Sequence, residues 1–391
     1  MKFVEELDLK GRTVFLRVDF NVPQDEKGAV RDDTRIRASL ATINFILERG
    51  GRLILASHLG RPKGKANPKY SLAPATYRLA EIIPNRVVQA PDVIGPQVES
   101  LKGGLGNGEV LALENVRFYP GEEANDPGFA AELARGVDIY VNDAFGSCHR
   151  AHASVDALAR LVKVKAAGYL LKREVDYLSR AVRNPDKPYV AILGGAKVED
   201  KIPVMENLIH KADEILVGGA MAYTFFKAQG YDVGKSLVEE DKKAIALAIL
   251  EKARIANVKL RLPVDHVVAT AIEAGAVTQI VNGFPFPSGQ IGVDIGPETI
   301  SLYAEAIGWA KTIVWNGPMG VFEIDAFAAG TMKIAQAVAS SKAVSIVGGG
   351  DSVAAVHKAG VADRISHIST GGGASLEYLA YETLPGIEAL E

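Results

Sequence analysis

In the second half of this chain the β-rich runs end on glycine. Tyr189 to Gly195, Glu214 to Gly219, Lys311 to Gly317, Ala343 to Gly349 and His367 to Gly372 each run into Gly-Gly, Gly-Gly-Gly or Asn-Gly, and only Lys259 to Ala269 does not. Ligands of an open α/β sheet sit at the carboxyl ends of its strands, so these glycines mark a candidate phosphate floor. The first half carries shorter β-rich runs over Thr13 to Phe20, Arg52 to His58, Arg86 to Val93, Glu109 to Arg117 and Val137 to Phe145. Helix-compatible segments such as Arg35 to Arg49 and Leu72 to Ile83 lie between several of them. This alternation predicts a mostly parallel sheet in each half.

A chain of 391 residues, 48% of them hydrophobic, is long enough for at least two cores. Ala157 to Val182 reads as one long helical stretch with its charges on one side, closed by Asn184-Pro185-Asp186-Lys187-Pro188. That pattern predicts an interdomain helix followed by a hinge. The expected fold is α/β, with two Rossmann-like three-layer domains joined by that helix. The domains are expected over residues 1–165 and 188–373, with the connection at 166–187.

Lys plus Arg number 44 against 47 Asp plus Glu, a formal charge of -3. There is no global basic field to recruit nucleic acid or an anionic membrane, so any anion site must be local. The one cysteine, Cys148, rules out a disulfide framework and fits a reducing compartment. The opening Met1-Lys2-Phe3-Val4-Glu5-Glu6 turns acidic where a signal peptide would turn apolar. No stretch is apolar for the roughly 18 residues of a membrane span. A cytoplasmic protein is expected.

Gly230-Tyr231-Asp232-Val233-Gly234-Lys235-Ser236 resembles a phosphate loop but is one residue short between its glycines and follows a helix-like segment, so it reads as a polar loop. No strand-linked Gly-x-Gly-x-x-Gly occurs, which weighs against a nicotinamide enzyme. Cys148, His149 and His152 have no second pair of soft ligands at zinc spacing. His210, His266, His357 and His367 read as ordinary surface or core histidines.

Strand ends in the first half gather cations. Arg17-Val18-Asp19-Phe20-Asn21-Val22-Pro23, Ser57-His58-Leu59-Gly60-Arg61-Pro62 and Glu114-Asn115-Val116-Arg117-Phe118 lie at or near such ends, with Arg35 and Arg150 beyond others. Each arginine alone fits a solvated surface. Several on one rim would hold a small polyanion through bidentate guanidinium contacts. In the second half, Gly194-Gly195-Ala196-Lys197-Val198-Glu199-Asp200-Lys201 sets two lysines beyond a glycine turn. Gly348-Gly349-Gly350-Asp351-Ser352 leads into a helix expected near Val353. Free N–H groups there would cradle phosphate and Asp351 would suit Mg2+, although Asp351 and Ser352 are equally good capping residues.

Together these segments, with Trp315-Asn316-Gly317-Pro318-Met319-Gly320-Val321-Phe322-Glu323 and Thr370-Gly371-Gly372-Gly373-Ala374-Ser375, resemble the phosphoglycerate kinase family from Arg17 to the Leu384-Pro385-Gly386 tail. The resemblance implies reversible phosphoryl transfer between 1,3-bisphosphoglycerate and ADP, giving 3-phosphoglycerate and ATP. It implies that Asp19, Asn21, Arg35, His58, Leu59, Gly60, Arg61, Arg117 and Arg150 hold the acid. It implies that Lys197, Lys201, Gly292, Glu323, Gly349, Gly350, Asp351 and Ser352 hold the nucleotide, with Asp351 on magnesium. Arg35, Lys197, Gly372 and Gly373 are assigned to the transferring group. A monomer is implied, with a tail over 374–391 packing on the first domain.

Three places depart from the family pattern: Cys148, the absence of an aromatic in Gln290-Ile291-Gly292, and Pro203 close behind the lysine pair. A proline fits a helix's first turn, so a helix is expected to begin near Ile202, leaving the lysines off a common helical face. From the residues alone, another α/β kinase or ligase acting on a small acid, or a two-domain binding protein, is the alternative.

Overall fold

A computed structural model describes residues 1–391. The chain forms two compact units, Met1–Asp176 with Thr383–Glu391, and Tyr177–Glu382.

The first unit is built on β1 (Thr13–Arg17), β2 (Arg52–Ala56), β3 (Val87–Gln89), β4 (Val110–Ala112), β5 (Ile139–Asn142) and β6 (Val164–Ala167). Their order is β3-β4-β2-β1-β5-β6 and every pairing is parallel. β1 is buried at every position, as expected of a parallel strand covered on both faces. Its Val14 and Leu16 join Ile43, Ile46, Leu53, Leu55 and Val141 in the unit's core.

The second unit centres on β7 (Tyr189–Leu193), β8 (Glu214–Val217) and β9 (Lys259–Arg261), with a three-stranded excursion of β10 (Asp265–Ala269), β11 (Thr278–Asn282) and β12 (Ile291–Ile295). β13 (Thr312–Asn316), β14 (Val344–Gly348) and β15 (His367–Ile368) complete the main sheet in the order β15-β14-β13-β7-β8-β9, again wholly parallel. Ile192, Leu216, Ile313, Trp315 and Val347 anchor its core against Ile307, Ile334 and Val338 of the covering helices. In both sheets the chain leaves the central strands in opposite directions, the topology that opens a crevice at the carboxyl edge.

Several expectations are corrected. Ala157 to Val182 is not one helix: Ala157–Leu161 is helical, β6 follows, and a helix runs over Tyr169–Val182. Pairing with β5 overrides the helix propensity of the Lys- and Ala-rich β6 segment. A Cβ at Gly168 would lie 2.3 Å from Asp143 Oδ1, so the chain turns closely there before the long helix begins. The division between units falls within that helix, after Asp176. Lys259 to Ala269 splits into β9 and β10, which belong to different sheets. Arg86 to Val93 and Glu109 to Arg117 are three-residue strands, with a tight turn at Val116–Phe118.

The helix expected near Val353 begins at Gly350. The tail belonging to the first unit starts at Thr383, not Ala374, because Gly373–Tyr381 is a helix packed along Ile202–Leu208 in the second unit. Within the first unit the Gly386 N–H donates to the Cys148 carbonyl at 2.9 Å. A helix does begin at Ile202 with Pro203 in its first turn, and Gly230 to Ser236 is a loop after helix Met221–Ala228.

Candidate functional site

In the first unit the carboxyl ends of β1, β2 and β4 carry Asp19, Asn21, His58, Leu59, Gly60, Arg61 and Arg117. Arg35 stands in the first turn of helix Thr34–Ala38 and its guanidinium meets the Asp19 carboxylate at 2.5 Å. Asn21 Oδ1 accepts the Gly60 N–H at 2.9 Å, and Arg117 donates to the Gly60 carbonyl at 2.9 Å. The loop after β2 is therefore tied to the ends of β1 and β4. Arg61 and Arg150 are exposed, and Arg150 Nε donates to His149 Nε2 at 3.0 Å.

Charge here is set by burial. Desolvation would raise the Asp19 carboxyl, but its charged surroundings outweigh that and hold it below the usual carboxylate value. Burial drives the pKa of His58 well below 6.5, with Arg17, Arg117 and Arg35 pushing the same way against the pull of Asp19. A neutral His58 leaves Arg35 and Arg17 to keep Asp19 ionised. His152 falls to about 3 through burial and the fields of Arg117, Arg17 and Arg150. The unit thus combines fixed arginine charge with neutral imidazoles. Cys148 is buried and its thiol is pushed up to about 12 by desolvation, so it is an inert core group.

In the second unit the carboxyl edge holds two adjoining cavities that share part of their lining, and we read them as the two ends of one cleft. One end, about 660 Å³, is lined by Lys197, Lys201, Asn316, Gly349 to Ser352, Gly372 and Gly373. The other, about 390 Å³, is lined by Tyr223, Leu237, Ile272, Gly292, Val321 and Glu323. Gly195, Ala196, Pro318 and Asp351 border both. The first end, with glycine backbone and lysines, has the chemistry to take phosphates, and the second, apolar with a carboxylate at its margin, the chemistry to take a base and sugar.

The glycines divide into two kinds. A Cβ at Gly194 would lie 2.1 Å from the Pro318 carbonyl, and one at Gly219 would lie 2.5 Å from the Gly195 backbone, so these let loops cross. Gly350, Gly372 and Gly373 face open space, and Gly349 and Gly372 hold positive φ at the starts of helices Gly350–Lys358 and Gly373–Tyr381. Their first N–H groups lack helical partners and open on the phosphate end.

Lys201 donates from Nζ to Asn316 Oδ1, and burial lowers its pKa against the pull of Asp200 and Asp351. Lys197, Asp351 and Glu323 are exposed at the cleft. Ser352 is buried, and its Oγ accepts the Gly317 N–H at 2.5 Å, which ties the glycine turn after β14 to the end of β13. The structure brings every expected second-unit residue to this cleft, Gly292 and Glu323 at the base end and the others at the phosphate end. Sequence reasoning missed Asn316, although it sits in a quoted segment. It also missed Tyr223, Leu237 and Ile272, apolar residues of separate elements that carry no local signal.

The phosphoglycerate kinase family model matches residues 4–382. A phosphoglycerate kinase of Koribacter versatilis is 56% identical over 395 aligned residues, covering 99% of this chain and 98% of that protein. A cytosolic phosphoglycerate kinase of Triticum aestivum is 55% identical, covering 99% and 97%. The solved phosphoglycerate kinase of Coxiella burnetii superposes with a TM-score of 0.91 at 43% identity, covering 99% of this chain and 97% of that one.

Proposed function

Because the chain belongs to the phosphoglycerate kinase family, we propose that it transfers a phosphoryl group reversibly between 1,3-bisphosphoglycerate and ADP, giving 3-phosphoglycerate and ATP, in glycolysis and gluconeogenesis. The observation that carries this reading is a two-ended strand-edge cleft in the second unit with free helix-start N–H groups, fitted to a nucleoside polyphosphate.

In this reading the first unit holds the acid through Asp19, Asn21, Arg35, His58, Leu59, Gly60, Arg61, Arg117 and Arg150. The attacking atom is a phosphate oxygen in one direction and a carboxylate oxygen in the other, so no proton has to be removed. Catalysis then consists of alignment and charge neutralisation. Arg35, Lys197 and the N–H groups of Gly372 and Gly373 serve the transferring group, while Glu323 binds the ribose hydroxyls. Asp351, an exposed carboxylate where the two ends of the cleft meet, is the hard oxygen donor Mg2+ requires, and the ion would add charge compensation for the phosphates.

Transfer needs the acid and nucleotide sites to meet, so closure of the two units about the Tyr169–Val182 helix is part of the proposal. Small-angle scattering should give a radius of gyration that falls most when both substrates are present; an unchanged radius argues against closure. A cytoplasmic monomer is proposed, in keeping with the wheat relative's cytosolic label. No helix is long and apolar enough to cross a membrane. The deciding assay couples ATP consumption to 3-phosphoglycerate, with glycerate as control. Consumption with 3-phosphoglycerate alone is expected, and its absence in folded protein overturns the reading.

A further inference from the structure

We propose that Glu122 is a positioning residue for the acid-binding half of the reaction, acting through Ser154 and Arg17 to keep the proton of His58 on Nε2. The inference rests on the phosphoglycerate reading above.

Arg17, the last residue of β1, is fully buried. A buried guanidinium must spend its donors on partners, and here they are fixed. Nε donates to Ser154 Oγ at 2.7 Å, Nη1 donates to the Val18 carbonyl, and Nη2 lies 3.3 Å from His58 Nδ1. Guanidinium nitrogens only donate, so Nδ1 must accept. The single proton of a neutral imidazole then sits on Nε2, leaving that nitrogen as a donor.

Glu122 sets this chain of bonds from behind. It is fully buried, and its carboxylate accepts the Ser154 hydroxyl at 2.6 Å and the Ser154 N–H at 2.9 Å. Arg17 can only donate, so Ser154 Oγ accepts from it and sends its own hydrogen to Glu122. Glu122 thereby holds Ser154, and Ser154 holds the guanidinium against His58 Nδ1, so that releasing Glu122 frees Arg17 to shift away from that nitrogen. Tyr140 adds a clamp by donating to the Ser154 carbonyl at 2.9 Å. Glu122 also supplies a carboxylate close to an otherwise buried cation, which burial alone would discourage. Neither Glu122 nor Ser154 is among the groups that meet the acid, so their effect on it passes through Arg17 and His58.

Replacing Glu122 by Gln removes that charge and turns an acceptor toward Ser154 into an amide donor, freeing the hydroxyl hydrogen. In Glu122→Gln, 15N spectra of the imidazoles should show His58 moving from the Nε2–H form toward a mixture of tautomers. The KM for 3-phosphoglycerate should rise about 10- to 100-fold, the scale of one charge-assisted buried hydrogen bond. The dissociation constant for MgATP should stay within about twofold, because the nucleotide cleft is in the other unit. In a His58→Gln background, Glu122→Gln should add little further loss of acid affinity.

Ser154→Ala, which cuts the same series one bond closer to Arg17, should give the same pattern and provides the test if Glu122→Gln does not fold. A folded variant that keeps the Nε2–H form overturns the inference. So does an undiminished loss in the His58→Gln background. Failure of the wild-type enzyme to phosphorylate 3-phosphoglycerate is a separate result that sinks the functional reading itself.

Discussion

In the first unit the groups proposed to hold the acid are largely side chains fixed by specific partners: Arg35 by Asp19, Asn21 by the Gly60 N–H, and His58 by the buried Arg17, itself held by Ser154. In the second unit the phosphate end is mostly backbone, glycines at helix starts with Lys197 and Lys201 added at the edge. The first arrangement depends on the charge and tautomer of each group, so a substitution that preserves shape can still disable it. The second depends on close approach of backbone, so a single added methyl should do more harm there than a change of surface charge.

Arg35→Ala offers the largest effect. If Arg35 serves the transferring phosphoryl group, kcat should fall roughly 10²- to 10³-fold, the scale for one preorganised charge stabiliser. The KM for 3-phosphoglycerate should move far less, since Arg61, Arg117 and Arg150 remain. A rise in KM alone would make Arg35 a binding group, and near-normal kcat would remove it from the catalytic set.

Gly292→Ala tests the opposite side of the contrast. A Cβ there would lie 2.0 Å from the Tyr223 hydroxyl at the base end of the cleft. Overpacking of about 1–3 kcal/mol should weaken MgATP about 5- to 150-fold, with 3-phosphoglycerate affinity by calorimetry unchanged. Equal losses in both affinities would mean that the damage is general.

Asp351→Asn comes next, with MgADP weakened on the order of tenfold, the lower bound seen for groups that support a bound metal. ADP without metal should bind nearly as before. Titrations with and without Mg2+ decide it, and an equal loss in both would take Asp351 off the metal.

The smallest effects concern two buried carboxyls, one in each unit. Burial raises Asp143 and Asp294 each to about 7, against backbone N–H bonds from Leu171 and Leu170 to the first and from Gly330 and Ile295 to the second. A carboxyl whose folded pKa lies above its unfolded value binds more protons when folded, so these groups lose stability as pH rises from about 4 to about 7. Urea midpoints should decline over that window from this cause. Asp294→Asn should flatten the slope and cost about 1–3 kcal/mol, because the Gly330 N–H, 2.6 Å from Oδ2 in the wild type, would face an amide donor or displace the other bond. Asp143→Asn keeps an acceptor for the Leu171 N–H, at 3.1 Å in the wild type, and should cost less than about 1 kcal/mol. Unaltered slopes in both variants would place the pH dependence elsewhere.

Much of the central sheet was legible because a buried parallel strand is an apolar run with a glycine stop: β7, β8, β13 and β14 lie within their expected runs. β6 was not, because Lys165, Ala166 and Ala167 suit a helix and only the pairing with β5 makes them a strand. The β10-β11-β12 excursion escaped for a similar reason, since Thr278–Asn282 is largely exposed and its register is set by β10 alone.

By itself the sequence determined the local requirements: glycines where backbone crosses backbone, a helix start beside Asp351, arginines at strand ends. These depend on neighbouring residues and on chain geometry, so they survive in one dimension. Only the tertiary structure decided that Arg17 is a buried cation instead of a surface ligand, that Glu122 and Ser154 stand behind it, and that His58 is neutral. It also joined Tyr223, Leu237 and Ile272 into the base end of one cleft. Desolvation and hydrogen-bond direction depend on which groups meet after more than a hundred intervening residues, as Arg17 and Ser154 do, and that pairing exists only once the chain has folded.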